Sequence, residues 1–346
     1  MDSKIIDLRS DTVTKPTRQM LTSIIDNFDN IGDDVYEEDM VVQKLQQKLS
    51  GMFNKEDALF FPSGTMCNLT ALLCWCDRGS EIILGNNSHI FLFEQGGAAQ
   101  YGGIAFHTIP NLEDGTMDIQ NIHEAIRDDD IHEPNTSLIA IENTHNACGG
   151  KVLPLDFLEY IKEIGKTHNI PIHLDGARIW NALQESGIDA MTMGTYVDSI
   201  SVCLSKGLGA PVGSVLLGPK DFIQKAKRVR KSLGGGMRQS GILASAALTA
   251  IEDFESGILK IDHEYIKLIA KEISVCNGFE PQPIVETNIL FIHVKEDASK
   301  IVDYFKLHNI LISAWTSKLL RIVVHRNITN EDIQYVISIF KSYSIS

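Results

Sequence analysis

Cysteine is sparse and unpaired in this chain: six occur in 346 residues, and none forms the C-x-x-C spacing that a zinc site or a redox pair needs. Cys67, Cys74, Cys76, Cys148, Cys203 and Cys276 sit mostly in apolar or helical context, which suits buried thiols in a reducing compartment. No H-E-x-x-H occurs among the 11 histidines, and nothing in the sequence asks for a metal ion. Positive charge is also short. Against 45 Asp and Glu stand 31 Lys and Arg, a net charge of −14, which argues against nucleic acid as a partner. No apolar run is long enough to span a bilayer, and the opening MDSKIIDLRS lacks the basic and then apolar order of a signal peptide. A cytoplasmic protein with no membrane partner is expected. Repeats, low-complexity tracts and long Pro/Gly/Ser linkers are absent too.

What is present suits a globular enzyme. Hydrophobic residues make up 44% of the chain, and its length suggests roughly two domains of ~150 residues. The first forty residues, through DLRSDTVTKPTRQML and GDDVYEEDM, are polar and rich in turn formers, so residues 1–40 read as an arm. A helix is expected over Val41 to Phe53, with Leu45, Leu49 and Met52 at helical spacing. Seven apolar runs follow: DALFFPS, EIILGN, IAFHTI, SLIAIEN, IPIHLD, SISVCLS and GSVLLG. Helical stretches such as Pro154 to Thr167 separate most of them, the pattern of a largely parallel sheet with helical crossovers. The link between SISVCLS and GSVLLG is too short for a crossover, so that pair should be antiparallel and the sheet mixed.

Past a long helical pattern near Gln239 the order changes to helix, strand ETNILFIHV, helix ASKIVDYFKL, strands LISAW and LLRIVVH, and a last helix opened by Thr329 with Asp332 three residues on. The expected division is an arm at 1–40, a large domain at 41–250 and a smaller α+β domain at 251–346.

Two polar strand tips stand out. HLDGAR places Asp175 after NIPIHL, and SVCLSKGLGAPVG places Lys206 after DSISVCL among Gly207, Gly209 and Gly213. In open α/β sheets, ligand sites lie at such carboxyl ends. A lysine that can form a Schiff base and a carboxylate that can hold a pyridine nitrogen protonated are what pyridoxal 5′-phosphate requires. Either segment alone would read equally as an Asp-Gly turn or a loop lysine. DALFFPSGTMCNLTALL reads as strand, turn and helix, so the N–H groups of Gly64 and Thr65 would point from a helix N-terminus at a phosphate. His89 follows EIILGN at a strand end, where an imidazole could lie on the ring. Arg238 follows three glycines in SLGGGMRQSG, and a guanidinium suits a phosphate.

The chain resembles a known family over nearly its whole length. DLRSDTVTKPT, FPSGTMCNLTAL, HIFLFEQGGAA, ENTHNACGGKVLPL, HLDGARIWNA, SVCLSKGLGAPVGSVL and LGGGMRQSGIL are similar to the low-specificity L-threonine aldolases. That resemblance implies an aspartate aminotransferase-like (type I) pyridoxal phosphate fold and retro-aldol cleavage of L-threonine or L-allo-threonine to glycine and acetaldehyde. It also implies that Lys206 bears the cofactor, Asp175 pairs with the ring nitrogen, His89 stacks on the ring, and Gly64, Thr65 and Arg238 hold the phosphate. Ser10, Arg178 and Arg321 would bind the substrate carboxylate, with Arg178 bordering the cofactor as well. His145, in the strand-end segment ENTHN, is the candidate base for the β-hydroxyl, since an imidazole can take a proton near neutral pH. A water held by His145 and His89 is the alternative.

The family's active site lies at a subunit interface, which implies a homodimer or homotetramer with shared sites, Arg238 serving its own or a neighbour's phosphate. There are departures. Glu37 and Met40 stand in VYEEDM where the family usually has glycine and proline, and Ala147 stands where a basic residue is common. Cofactor motifs fix which bonds can break without naming the leaving group, so a β-eliminating lyase or another α-carbon enzyme remains open. So does a silent cofactor-binding protein, although the intact Asp175, Lys206 and Arg321 set argues against it.

Overall fold

A computed structural model describes residues 4–343. Met1, Asp2 and Ser3, the start of the opening read for a targeting signal, lie outside the described residues. The first strand, β1 (Ile6–Asp7), precedes the main sheet. That sheet is built of β2 (Asp57–Phe61), β3 (Glu81–Gly85), β4 (Ala105–Ile109), β5 (Thr136–Glu142), β6 (Ile172–Gly176), β7 (Ser199–Cys203) and β8 (Ser214–Gly218). These are the seven apolar runs, in the spatial order β2-β8-β7-β6-β5-β3-β4. Every residue of β3, β6, β7 and β8 is buried, which is why β3 and β8 read as near-continuous apolar runs, while β6 (IHLDG) and β7 (SISVC) bury polar side chains between their apolar ones. β8 runs antiparallel to both β2 and β7, and every other pairing in this sheet is parallel.

The topology assembles the candidate residues. β7, β6 and β5 are neighbours and mutually parallel, so the turns that follow them, bearing Lys206, Asp175 with Arg178, and His145, emerge side by side. β3 lies next to β5 and delivers His89. From β2 the chain turns into the helix Gly64–Trp75, whose cap Ser63 accepts from the Met66 N–H through its side chain.

The remaining strands are β9 (Phe279–Pro281), β10 (Ile289–Val294), β11 (Ile310–Leu311), β12 (Ser313–Thr316) and β13 (Leu319–Val323). Four of them form an antiparallel sheet in the order β12-β13-β10-β9. β9 was not legible in the sequence, being three residues that end in proline at a sheet edge. The helix Asn330–Ser342 opens with the anticipated capping box, in which Thr329 and Asp332 satisfy each other's backbone N–H groups.

The first forty residues carry more structure than their polarity suggests. β1 pairs in parallel with β11, and Ile6 and Leu8 pack into the hydrophobic core of the C-terminal sheet. Thr17 caps a helix, Arg18–Asp26, that buries Met20 in the core of the main sheet. The helix expected from Val41 runs Met40–Met52, because the Asp39 carboxylate caps the N–H groups of Val41 and Val42 and so sets the start one residue earlier. Just before it, Glu37 adopts φ 60°, the left-handed region that favours glycine. Among the described residues, no helix is long and apolar enough to cross a membrane.

Candidate active site

At the carboxyl ends of the strands opens a cavity of about 320 Å³ whose lining includes Gly64, Thr65, His89, Asp175 and Lys206. Five of the residues picked out from the sequence therefore share one space. Gly64 and Thr65 are the first residues of a 12-residue helix, so their N–H groups have no partner within it and suit an anion. The turn bearing Lys206 is pinned from the far end of the chain, where Thr14 Oγ1 donates to the Lys206 carbonyl at 2.7 Å. Asp175 is 2% exposed. Its carboxylate accepts from the Ala177 N–H at 3.0 Å and from Asn68 Nδ2 at 3.0 Å, both neutral donors.

His89 sits at the start of a short helix, its backbone N–H donating to Glu142 at 2.7 Å. Its ring nitrogen Nδ1 meets Glu94 at 3.0 Å. Burial disfavours the imidazolium, but the Glu94 hydrogen bond and the charges of Asp175, Glu94 and Glu142 outweigh it and raise the His89 pKa.

A second cluster lies beside the cavity. Arg178 is 5% exposed and forms a two-pronged pair with Asp11, which is fully buried. Burial works against the charge on Asp11, yet Arg178, with Lys206 and Arg321, holds its pKa well below the usual carboxylate range. Asn146 Oδ1 accepts from Arg178 Nη1 at 3.3 Å and from Arg321 Nη2 at 2.8 Å. The second prong of Arg321 is Nη1 donating to the Arg9 carbonyl at 3.1 Å, while Nε has no partner among the described residues. Burial and the like charge of Arg178 push the Arg321 pKa down to about 10. Ser10 belongs to the same strip of chain: its hydroxyl accepts from the Thr12 N–H at 3.2 Å and contacts Asp11 at 3.5 Å.

His145 is 2% exposed, and among the described residues neither ring nitrogen has a partner. A buried imidazole with two idle polar atoms is costly unless something else satisfies it. Its turn is held by the His145 N–H donating to the Lys151 carbonyl at 2.8 Å. Glu142 joins the two histidine segments, because its other oxygen accepts from the Asn146 N–H at 3.0 Å.

Ser10, His145, Arg178 and Arg321 do not line the cavity itself. Nor does Arg238. That side chain is 60% exposed and pairs with Asp33 at 3.3 Å.

Asn68, Glu94, Asp11, Asn146 and Glu142 escaped the sequence reading. One signal was available for Asn68: it lies in GTMCNLTALLCW, a helix with Cys67, Leu69, Ala71 and Leu72 all buried, where a lone amide must find partners. For Asp11, Asn146 and Glu142, contacts that matter come from segments far away in sequence; Glu94 meets His89 five positions away, but a carboxylate in that segment carries no pattern that marks it.

Comparisons with known proteins bear on the family and the fold. The sequence profile of the Beta-eliminating lyase family matches residues 7–297. The chain is 43% identical over 349 residues to low-specificity L-threonine aldolase 1 of Arabidopsis thaliana, covering 99% of this chain and 97% of that protein. It is 42% identical over 340 residues to the low specificity L-threonine aldolase of Escherichia coli K12, covering 98% and 99% respectively. In three dimensions it is similar to a threonine aldolase of Leishmania major, with a TM-score of 0.84 at 19% identity over 97% of this chain and 98% of that one. Serine palmitoyltransferase of Sphingomonas wittichii shares the fold at a TM-score of 0.76 and 15% identity, covering 98% and 87%. The type I fold is thus established, and near-full-length identity above 40% places the chain in the beta-eliminating lyase family of pyridoxal phosphate-dependent enzymes, among the low-specificity L-threonine aldolases.

Proposed function

We propose that this chain cleaves the Cα–Cβ bond of L-threonine and L-allo-threonine to glycine and acetaldehyde, with pyridoxal 5′-phosphate held at Lys206. The observation that carries this reading is the buried His145, idle at both ring nitrogens, in a turn whose next residue, Asn146, touches Arg178 and Arg321. We read it as the proton acceptor for the β-hydroxyl of a substrate whose carboxylate Arg178 and Arg321 would bind.

The residues present fit the cofactor. A helix N-terminus at Gly64 and Thr65 suits its phosphate, Lys206 supplies an amine, and Asp175 offers a buried carboxylate that only neutral groups satisfy. When bound, the cofactor supplies an electron sink conjugated to the substrate's α-carbon.

The protein does the rest. Lys206 anchors the cofactor and yields its place to the substrate amine. Asp175 keeps the ring nitrogen protonated, and His89, oriented by Glu94, covers the ring. Arg321, with Ser10 and the Asp11-paired Arg178, grips the carboxylate and so selects which bond at Cα is turned for cleavage. His145 takes the β-hydroxyl proton as the Cα–Cβ electrons move away and acetaldehyde leaves. A second proton, delivered to Cα, completes glycine.

Arg238, free of its own cavity, is assigned to the phosphate of a neighbouring chain in a homodimer or homotetramer with shared sites. All six cysteines are free thiols, which supports a cytoplasmic setting.

The test is aldehyde release from threonine, allo-threonine and phenylserine in both enantiomeric series, together with borohydride trapping and peptide mapping. Release confined to L-substrates and a label on Lys206 are expected. No aldehyde from any of them, or a label on a different lysine, would overturn the reading.

A further inference from the structure

Asn68 is 2% exposed, and its amide nitrogen donates to two carboxylates, Glu94 at 2.9 Å and Asp175 at 3.0 Å. Carboxylates accept, so the amide oxygen must face the other way, and it meets His173 Nε2 at 3.2 Å. An amide oxygen cannot donate; Nε2 therefore carries the hydrogen. Burial drives the His173 pKa down to about 4, so the ring is neutral and Nδ1 is left as an acceptor. The Ser199 hydroxyl, 2.9 Å from Nδ1, fills that need. Ser199 Oγ accepts in turn from the Trp75 indole at 2.8 Å. Each hydrogen bond from Trp75 to the two carboxylates now has one direction, fixed from the acidic end backward.

We propose that Asn68 is a positioning residue: a single amide, aimed by neutral His173, holds both the carboxylate meant for the ring nitrogen and the carboxylate that orients His89. The inference rests on reading Asp175 and His89 as the two ring contacts. Its physical content is separate. Asp175 and Glu94 are like charges, and one polar atom from each of His89, Glu94 and Asp175 lies within 4.8 Å of the other two. The Asn68 NH₂ offsets that repulsion from the middle. Burial raises the Glu94 pKa and Asp175 adds to the rise, while the hydrogen bonds from His89 and Asn68 oppose it. Without Asn68, Glu94 takes up a proton more readily and its hold on His89 weakens. The acidic groups facing His89 are Glu94, Asp175 and Glu142, and Asn68 touches the first two.

The test follows the His89 ring by NMR titration of the cofactor-free protein, in the wild type, Asn68→Leu, Glu94→Gln and the double variant. Cofactor affinity is measured alongside by fluorescence, and folding by circular dichroism. Asn68→Leu, which keeps the side chain's branching at Cγ and its number of heavy atoms while removing the amide's donors and acceptor, should lower the His89 midpoint by about one pH unit and weaken cofactor binding roughly tenfold. In the Glu94→Gln background the same substitution should move the midpoint little further, because its effect passes through Glu94. An unchanged midpoint in Asn68→Leu, or an undiminished shift in the double variant, would overturn the proposal. Should Asn68→Leu fail to fold, His173→Leu frees the Asn68 amide to turn over and should shift His89 in the same direction by less; no shift would be equally damaging. Neither readout needs turnover. A shifted His89 in a protein with no aldolase activity would leave the Asn68 role standing and defeat the aldolase reading, and the reverse pattern would do the opposite.

Discussion

Arg178 grips Asp11 through two parallel hydrogen bonds, Nε to Oδ2 at 2.8 Å and Nη2 to Oδ1 at 2.7 Å, with both side chains withdrawn from solvent. The pair neutralises one of the two arginines proposed to bind the substrate carboxylate and leaves Arg321, whose Nε has no partner among the described residues, as the other. It also ties residue 11, near the start of the chain, to the turn after β6. Removing Asp11 strands a buried guanidinium, so Asp11→Asn should destabilise the protein by about 3–5 kcal/mol at neutral pH in urea unfolding.

The pH dependence of the same pair follows from its sign. Asp11 is depressed below the ordinary carboxylate value of 3.8 in the folded state, so its stabilisation is complete above that value and is lost as the pH falls toward the folded pKa. Acid titration of stability should show a steep loss below about pH 4 in the wild type. In Asp11→Asn that part of the slope should be missing, and an identical acid limb would mean that Asp11 is not the group responsible.

Arg321 stays charged at neutral pH despite a pKa lowered to about 10. Arg321→Ala should weaken substrate binding by about 2–5 kcal/mol if its ion pair with the carboxylate is desolvated. Steady-state kinetics on threonine check this, and a change in kcat/KM below about threefold, under ~1 kcal/mol, would remove Arg321 from the clamp.

For His145 the expected loss lies in chemistry. His145→Ala should slow single-turnover carbon–carbon cleavage by roughly 10²–10⁴-fold if the imidazole takes the hydroxyl proton. A change confined to KM would make it a binding residue, with water as the acceptor.

Two departures from the family pattern have local consequences. Glu37 holds a left-handed φ of 60°, a strain that glycine avoids, and its ion pair with Lys227 is exposed on the Glu37 side, at 66%. Glu37→Gly should therefore stabilise by about 1 kcal/mol. Met40 is the first residue of its helix, where proline forfeits no helical hydrogen bond. Met40→Pro should be neutral or stabilising, and thermal melting of both variants reads the result.

Assembly can be tested through Arg238. Mixed and reassembled Lys206→Ala and Arg238→Ala subunits should regain partial activity if Arg238 completes a neighbour's site, because one site in each hybrid would then hold both residues. Verified hybrids that stay inactive would return Arg238 to the surface of its own chain.

The main sheet was legible because most of its strands are buried and form short runs rich in apolar residues, as in Glu81–Gly85 and Ser214–Gly218. The reversal at β8 was legible from loop length alone. Lys206, Asp175, Gly64, Thr65 and His89 could be placed because each sits at the end of such a run. Asn146 and Glu142 could not. Their significance depends on Arg321, 175 positions away from Asn146, and on the His89 N–H, 53 positions away from Glu142, pairings that no local pattern encodes. β1 was hidden for the same reason, since two residues become a strand only against Ile310–Leu311.

Cleavage of the Cα–Cβ bond is most directly tested by product analysis of the loaded protein with L-threonine. Equimolar glycine and acetaldehyde are expected, and their formation should disappear in Lys206→Ala. Formation of 2-oxobutanoate and ammonium in their place would mean that the β-substituent leaves instead of the β-carbon, and would contradict the aldolase assignment.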